Sequence, residues 1–340
     1  MNVVVLTVLI GTFVFSIVLV GYVRRYALKK NIIDLPNTRS SHARPTPRAG
    51  GIAIVMSFIS ALCVLSLCRV VDTRTASILS VAGCTIAGIG YLDDRRQLTA
   101  RLRLTVHLAA AVLVVALLGG LPERELARWG LNEFWVGSAF TVLVLVWGTN
   151  LFNFMDGIDG IAGSEAIFIS AGGAWLNWLD GSDSGMTAAM LSLSAASLGC
   201  LVWNWPPARI FMGDVGSGFL GFMVTALAIV ASERGSIPIE VLPILGGVFL
   251  VDATITLIRR ILRGDQWLDA HRMHAYQHLA HRLGNHRPVT LTVIAIDLCW
   301  LLPWAYVANR FPEYARICVA GALLPLCIIV ILTGAGKREQ

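Results

Sequence analysis

Eleven stretches of 15 to 21 mostly apolar residues recur along this 340-residue chain, and they leave no room for a soluble fold. They are 3–23, 50–68, 76–92, 104–118, 134–152, 161–179, 186–203, 218–232, 239–258, 289–308 and 315–333. A helix needs about 20 apolar residues to cross the hydrocarbon core of a bilayer. In lipid the backbone N–H and C=O groups must be satisfied within the segment, so such stretches read as helices. Hydrophobic residues make up 56% of the chain and charged ones 14%, and the mean hydropathy is +0.70. A soluble domain carries about 25% charged residues. The expected fold is therefore an all-α, polytopic membrane helical bundle of about 11 transmembrane helices, forming a single domain over 1–340. The first stretch is full length, ends at Arg24-Arg25 and lacks a small-residue cleavage site, so it reads as a retained helix rather than a signal peptide.

Charge orients the bundle. If the loops after the odd-numbered stretches share a side with the C-terminal tail, that side holds 20 of the 27 Lys and Arg residues, against nine acids. The other side holds seven, also against nine acids. Basic residues favour the cytoplasmic side, which places the N-terminus in the periplasm and the C-terminus in the cytoplasm. The net charge of +6 is then a topology signal and gives no reason to expect a nucleic-acid partner. All seven cysteines fall in or at the ends of the apolar stretches with no CxxC spacing, so they read as small packing residues.

The polar motifs fall in the segments that charge assigns to the cytoplasm: 24–49, 93–103, 153–160, 204–217 and 259–288. In the first, Arg39 to Gly51 combines prolines that stiffen the backbone with Arg44, Arg48 and His42 as donors for phosphate oxygens. A basic loop touching anionic lipid has the same composition. In the second, Asp93-Asp94-Arg95-Arg96 suits a hard cation or a proton, with an anion beside it; a solvated helix end with local ion pairs reads the same way.

The third motif, Asn153-Phe154-Met155-Asp156-Gly157-Ile158-Asp159-Gly160, sets two carboxylates at i, i+3 on one face of a turn, with an amide close by. Carboxylates at the end of a span are expensive unless they are used. The fourth, Arg209 to Gly218, puts glycines before a helix start, where exposed N–H groups favour an anion and Asp214 can hold Mg²⁺ against it. The last is a histidine stripe, His271, His274, His278 and His281, at spacings of three, four and three along one helical face. Arg272 and Arg282 interleave with it, which suits a polyanion better than zinc. Glu165, Asp252 and Asp297 lie inside apolar stretches and mark either an ion path or carboxylates reached from the cytoplasmic side.

From about Arg39 to His281 these motifs, in this order and on one face, resemble the polyprenyl-phosphate N-acetylhexosamine-1-phosphate transferases, also grouped as glycosyltransferase family 4. The resemblance implies a helical bundle of ten or eleven spans in the bacterial inner membrane with a cytoplasmic active site. It implies attack of undecaprenyl phosphate on the β-phosphorus of a UDP-HexNAc, giving lipid-pyrophosphate-sugar and UMP. Carried over by residue, Asn153 and Asp214 resemble the Mg²⁺ site (Mn²⁺ being the alternative ion), with Asp156 and Asp159 as catalytic or nucleotide-side neighbours. Asp93 and Asp94 resemble the pair assigned to lipid-phosphate activation, as base or as positioner. Arg44, Arg48, His271, Arg272, His274 and His278 are the expected substrate-binding residues.

The late loop lacks consecutive histidines and resembles the branch that initiates O-antigen and lipopolysaccharide synthesis. UDP-GlcNAc, UDP-FucNAc and UDP-QuiNAc stay open as donors, as does a homodimer. Two other readings stay open here: the peptidoglycan lipid I enzyme with UDP-MurNAc-pentapeptide, and a secondary transporter or lipid flippase built on Glu165, Asp252 and Asp297.

Overall fold

The computed structural model describes residues 2–35, 45–122, 126–127, 130, 134–181, 183–265 and 272–337. Among them the regular structure is almost all helix: α1 (Val3–Lys29), α2 (Gly51–Leu67), α3 (Thr73–Arg96), α4 (Ala100–Leu118) and α5 (Phe134–Met155), then α6 (Ile161–Leu179), α7 (Ser184–Asn204) and α8 (Asp214–Glu233). The short α9 (Val241–Leu245) leads into α10 (Gly247–Leu262) and α11 (Ala275–Leu283). Next, α12 (His286–Ile296) runs through a π-helical turn, Asp297–Leu301, into α13 (Leu302–Arg310), and α14 (Ala315–Thr333) follows.

Eight helical segments among the described residues are long and apolar enough to cross a membrane: α1, α3, α4, α5, α7, α8, the continuous 286–310 segment and the 312–333 segment. The other three expected stretches are helical but different in kind. α2 has 17 residues, α6 is a 19-residue helix rich in small residues, and 239–258 is divided between α9 and α10. The chain is thus an all-α polytopic membrane protein.

The centre of the bundle is α8, buried without interruption from Val215 to Ser232 and packed between α3 and α5. Small residues make that packing close, as they do where membrane helices must approach without a solvent-driven force between them. A Cβ on Gly90 of α3 would come within 2.5 Å of the Asp214 carbonyl, and one on Gly51 would run into the backbone of Gly216. Side-chain caps satisfy the first free amides of several helices: Asp72 accepts from Thr75 N–H, Thr99 from Leu102 N–H, and Asp183 from Met186 N–H. Just past the C-terminal end of α8, Arg234 ties two of these caps together, 2.6 Å from Asp72 and 3.0 Å from Asp183.

At the opposite end the only sheet among the described residues is a two-residue antiparallel pair. β1 (Ile33–Asp34) meets β2 (Thr46–Pro47), with Ile33 opposite Pro47 and Asp34 opposite Thr46. The chain leaving β2 is strapped to the segment before α8. Phe211 N–H donates to the Pro47 carbonyl at 2.8 Å, and Gly50 and Gly51 N–H donate back to Phe211 and Met212 at 2.9 Å. This strap fixes where Arg48 emerges.

Candidate active site

Five separate segments bring charged side chains to the end of the bundle where α3 and α5 finish and α8 begins. Asp94, in the last turn of α3, accepts from the backbone N–H of Asp214 at 3.0 Å and of Val215 at 3.2 Å. It therefore caps α8 from another helix, and Gly213 (φ +74°) makes room for it, since a Cβ there would lie 2.6 Å from Asp94 Oδ2. The amides expected to receive an anion at this helix start thus already face a carboxylate.

Asp93, buried beside it, accepts from Leu98 N–H at 2.6 Å and from Arg103 Nη1 at 2.5 Å. Arg48 Nε lies 3.2 Å from Asp94, and its Nη2 lies 3.6 Å from Asp214. Arg103 Nη1 reaches to 3.7 Å from the other oxygen of Asp214. Asp214 thus sits between two guanidinium groups, with longer contacts than either acid of the α3 pair.

Asp156, in the loop after α5, belongs to the same group. Burial pushes its carboxyl well above the ordinary carboxylate range, the charges of Asp214, Asp94 and Asp159 add to that, and Arg48 opposes it. For Arg48, burial works against the cation, but Asp94, Asp214, Asp34 and Asp156 outweigh it and hold its pKa above the usual value. Carboxylates crowded to this degree around two arginines make a site that a hard cation would relieve. The donors on offer are oxygens: Asp156, Asp214 and the amide of Asn153, whose Oδ1 accepts from Ser217 Oγ of α8 at 2.5 Å. Among the described residues no three His, Cys, Asp or Glu side chains form a ready metal cage. Mg²⁺ takes one or two protein carboxylates and completes its shell with phosphate oxygens and water.

Asp159 faces the other way. Its Oδ2 accepts from Ala208 N–H at 2.9 Å, its carbonyl accepts from Thr290 Oγ1 at 3.0 Å, and its Oδ1 lies 3.2 Å from His286 Nδ1. It fastens the 157–160 loop to the segment before α8 and to α12.

The histidine stripe is not one helical face. α11 begins at Ala275, so His274 precedes it as the N-cap residue, and Arg272 lies outside the helix. Within α11 His278 is buried whereas His281 is exposed. Asp252 of α10 decides where that helix starts: its carboxylate accepts from Ala275 N–H at 2.9 Å and Tyr276 N–H at 3.1 Å, with His274 Nδ1 at 3.4 Å. Tyr276 donates its hydroxyl to the Phe154 carbonyl at 3.0 Å, and the His274 ring stacks between Phe154 and Tyr276. Two sequence-derived candidates, Arg44 and His271, lie outside the described residues.

Four residues of this site carry no signal in the motifs. Arg103 reads only as a topology-setting charge, and Asp252 only as a carboxylate in an apolar stretch. His286 and Tyr276 gain their contacts through packing of α12 and α11 against the loop after α5 and the last turn of α5, more than 100 residues earlier. Beside this centre an apolar groove of about 530 Å³ runs between α5, α10 and α14, from Phe152 and Leu250 near the acidic group to Leu121, Leu126 and Glu240 at the far end.

The family model described as Glycosyl transferase family 4 matches residues 76–232, which run from α3 to α8 and contain Asp93, Asp94, Asp156, Asp159 and Asp214. A probable undecaprenyl-phosphate N-acetylglucosaminyl 1-phosphate transferase of Bacillus subtilis is 31% identical over 290 residues, covering 82% of this chain and 78% of that protein. An undecaprenyl-phosphate alpha-N-acetylglucosaminyl 1-phosphate transferase of Escherichia coli is 30% identical over 328 residues, covering 92% and 86%. A decaprenyl-phosphate N-acetylglucosaminephosphotransferase of Mycobacterium tuberculosis is 28% identical over 303 residues, covering 80% and 75%. With 30–31% identity over more than four fifths of the chain, and the family model matching 76–232, the chain belongs to glycosyl transferase family 4, the polyprenyl-phosphate N-acetylhexosamine-1-phosphate transferases.

Proposed function

We propose that this protein transfers a HexNAc 1-phosphate from a UDP-sugar to undecaprenyl phosphate, releasing UMP, at the cytoplasmic face of a bacterial inner membrane. The product would start the assembly of O-antigen or another cell-envelope polysaccharide. The observation that carries the reading is the convergence of Asp93, Asp94, Asp156 and Asp214 with Arg48 and Arg103 at one end of the bundle. The charge asymmetry of the loops supports a cytoplasmic location for that end, with the N-terminus outside and the C-terminus inside. The names of the relatives favour UDP-GlcNAc over UDP-FucNAc, UDP-QuiNAc and the pentapeptide donor of the lipid I enzyme.

Two phosphate-bearing substrates must meet here, so negative charge has to be held and then neutralised as UMP departs. Arg48 and Arg103, now paired to Asp214 at 3.6 and 3.7 Å, are placed to swing onto phosphate oxygens. Asn153, Asp156 and Asp214 would hold Mg²⁺, which supplies charge neutralisation at the donor diphosphate. A phosphate monoester has its second pKa near about 6, so the acceptor is already mostly a dianion at neutral pH. It needs orientation more than deprotonation. Asp93, with both oxygens engaged by Leu98 N–H and Arg103, fits a positioning role. Asp159 and His286 hold the loop that carries Asp156, and the apolar groove would receive the lipid chain from its Phe152 end.

A transporter is less consistent with the geometry. Asp252 is committed to capping α11, and Glu165 and Asp297 face each other fully buried, in none of the described cavities. The deciding experiment supplies purified protein with undecaprenyl phosphate, Mg²⁺ and single UDP-HexNAc donors, with products weighed by mass spectrometry. A lipid-pyrophosphate-HexNAc from UDP-GlcNAc is expected. Folded protein that makes no such lipid from any donor would overturn the reading.

A further inference from the structure

Side chains join the four helices around the acidic centre into a ring. Asp93 and Arg103 link α3 to α4, Asn153 and Ser217 link α5 to α8, and Asp94 links α3 to the first amides of α8. The link that closes the ring, between α4 and α5, is a contact the transfer reaction leaves unexplained: Asn150 Nδ2 lies 3.5 Å from Nδ1 of His107. The Asn150 nitrogen also donates to the Val146 carbonyl at 2.8 Å, so it approaches His107 as a donor and Nδ1 accepts.

The helix that carries Arg103 depends on this link. The buried side chains of α4 are His107, Ala110, Ala111 and Val114, and His107 alone among them is polar. Small apolar residues tolerate a rotation or slide of one membrane helix against another, because lipid exacts no solvent penalty for it. One buried polar pair removes that freedom, as a single Asn fixes register in a coiled coil. His107 stands four residues after Arg103, and Asn150 three before Asn153, so each lies one turn deeper on a helix face that carries a site residue. The charges of Arg103 and Asp93 both act on the His107 ring. We propose that His107 is a positioning residue for the transfer: by accepting from Asn150 it fixes the rotation of α4, and so aims Arg103 at Asp93 and at the phosphates gathered beside Asp214. The role rests on the transferase reading and adds a residue to it.

The test is kinetic. UMP release from UDP-GlcNAc and undecaprenyl phosphate is measured at matched folding for His107→Leu, which keeps bulk but cannot accept, and for His107→Asn, whose Oδ1 takes the place of Nδ1. His107→Leu should lower kcat about tenfold to a hundredfold with KM for UDP-GlcNAc unchanged, as misaiming a group that acts in the transition state does. His107→Asn should recover most of that loss. Because the effect runs through Arg103, His107→Leu should cost nothing further in an Arg103→Ala background, whereas a general loosening of the bundle would lower activity in both backgrounds alike. If His107→Leu does not fold, Asn150→Leu, which removes the donor, replaces it in both backgrounds. Wild-type kcat in the leucine variant, equal impairment of His107→Asn and His107→Leu, or additive losses with Arg103→Ala would each overturn the proposal. Absence of UMP release from folded wild-type protein would instead overturn the transferase reading, and this role with it.

Discussion

Asp94 places both carboxylate oxygens on the first two amides of α8, while its neighbour Asp93 turns the other way to Leu98 N–H and Arg103. Adjacent acids on a helix point in directions about 100° apart, so one pair can serve two structures at once. The distinction gives a kinetic prediction. If Asp93 orients Arg103 rather than taking a proton, Asp93→Asn lowers kcat while the pH–rate profile keeps its wild-type shape. Loss of one limb of the profile in that variant would assign Asp93 as a base. His286 gives a second prediction, because it contacts Asp159 and acts through the loop that Asp159 fastens. His286→Ala should free the 157–160 loop and lower kcat by about tenfold to a hundredfold, as misplacement of a supporting group does, and His286→Asn should restore part of it. Equal activity of wild type and His286→Ala would show that the fastening is immaterial.

At the scale of elements, the apolar stretches were legible because bilayer crossing imposes length and composition on each one separately. The divisions within them were not. α11 starts at Ala275 because Asp252, more than 20 residues earlier, accepts its first amides, and that cap divides the three described histidines of the apparent stripe into a buried pair and an exposed residue. The acidic motifs were readable as chemistry, whereas Arg103 and Tyr276 acquire their roles only through contacts made on folding. Packing of α2 on α8 supplies the next prediction. Gly51→Val forces a side chain into the Gly216 backbone and should cost about 1–3 kcal/mol, as overpacking does, and it should lower activity as well by moving the strap that carries Arg48. A melting temperature equal to that of wild type would contradict the packing.

The Arg234 clamp is the corresponding device at the other end. Arg234→Ala removes ion pairs to Asp72 and Asp183 that are partly solvent-screened, and should lower stability by about 1–2 kcal/mol. For Asp72, burial raises the pKa, but the Thr75 amide and Arg234 outweigh it and hold it below the ordinary value. A depressed folded-state pKa contributes stability above the unfolded value and loses it as pH falls through the folded one. The gap in melting temperature between wild type and Arg234→Ala should therefore be steady near neutral pH and narrow in acid. A gap that widens on acidification would contradict the assignment.

At the scale of the whole molecule, the bundle separates two chemistries by the length of α8: a cluster of acids and arginines at its start, and caps, the clamp and Glu240 beyond its end. The sequence carries this separation as charge counts in alternate loops, since the motifs that build the cluster fall in the loops with the basic excess. The groove joining the two ends was not, since α5, α10 and α14 meet only in the folded bundle. The proposed activity is Mg²⁺-dependent transfer by the cluster around Asp214. It is tested most directly by UMP release from UDP-GlcNAc and undecaprenyl phosphate, comparing wild type with Asp214→Asn at matched folding and saturating Mg²⁺. Chelation should abolish release in wild type, and the variant should fall by about a hundredfold or more. Undiminished release by Asp214→Asn would contradict it.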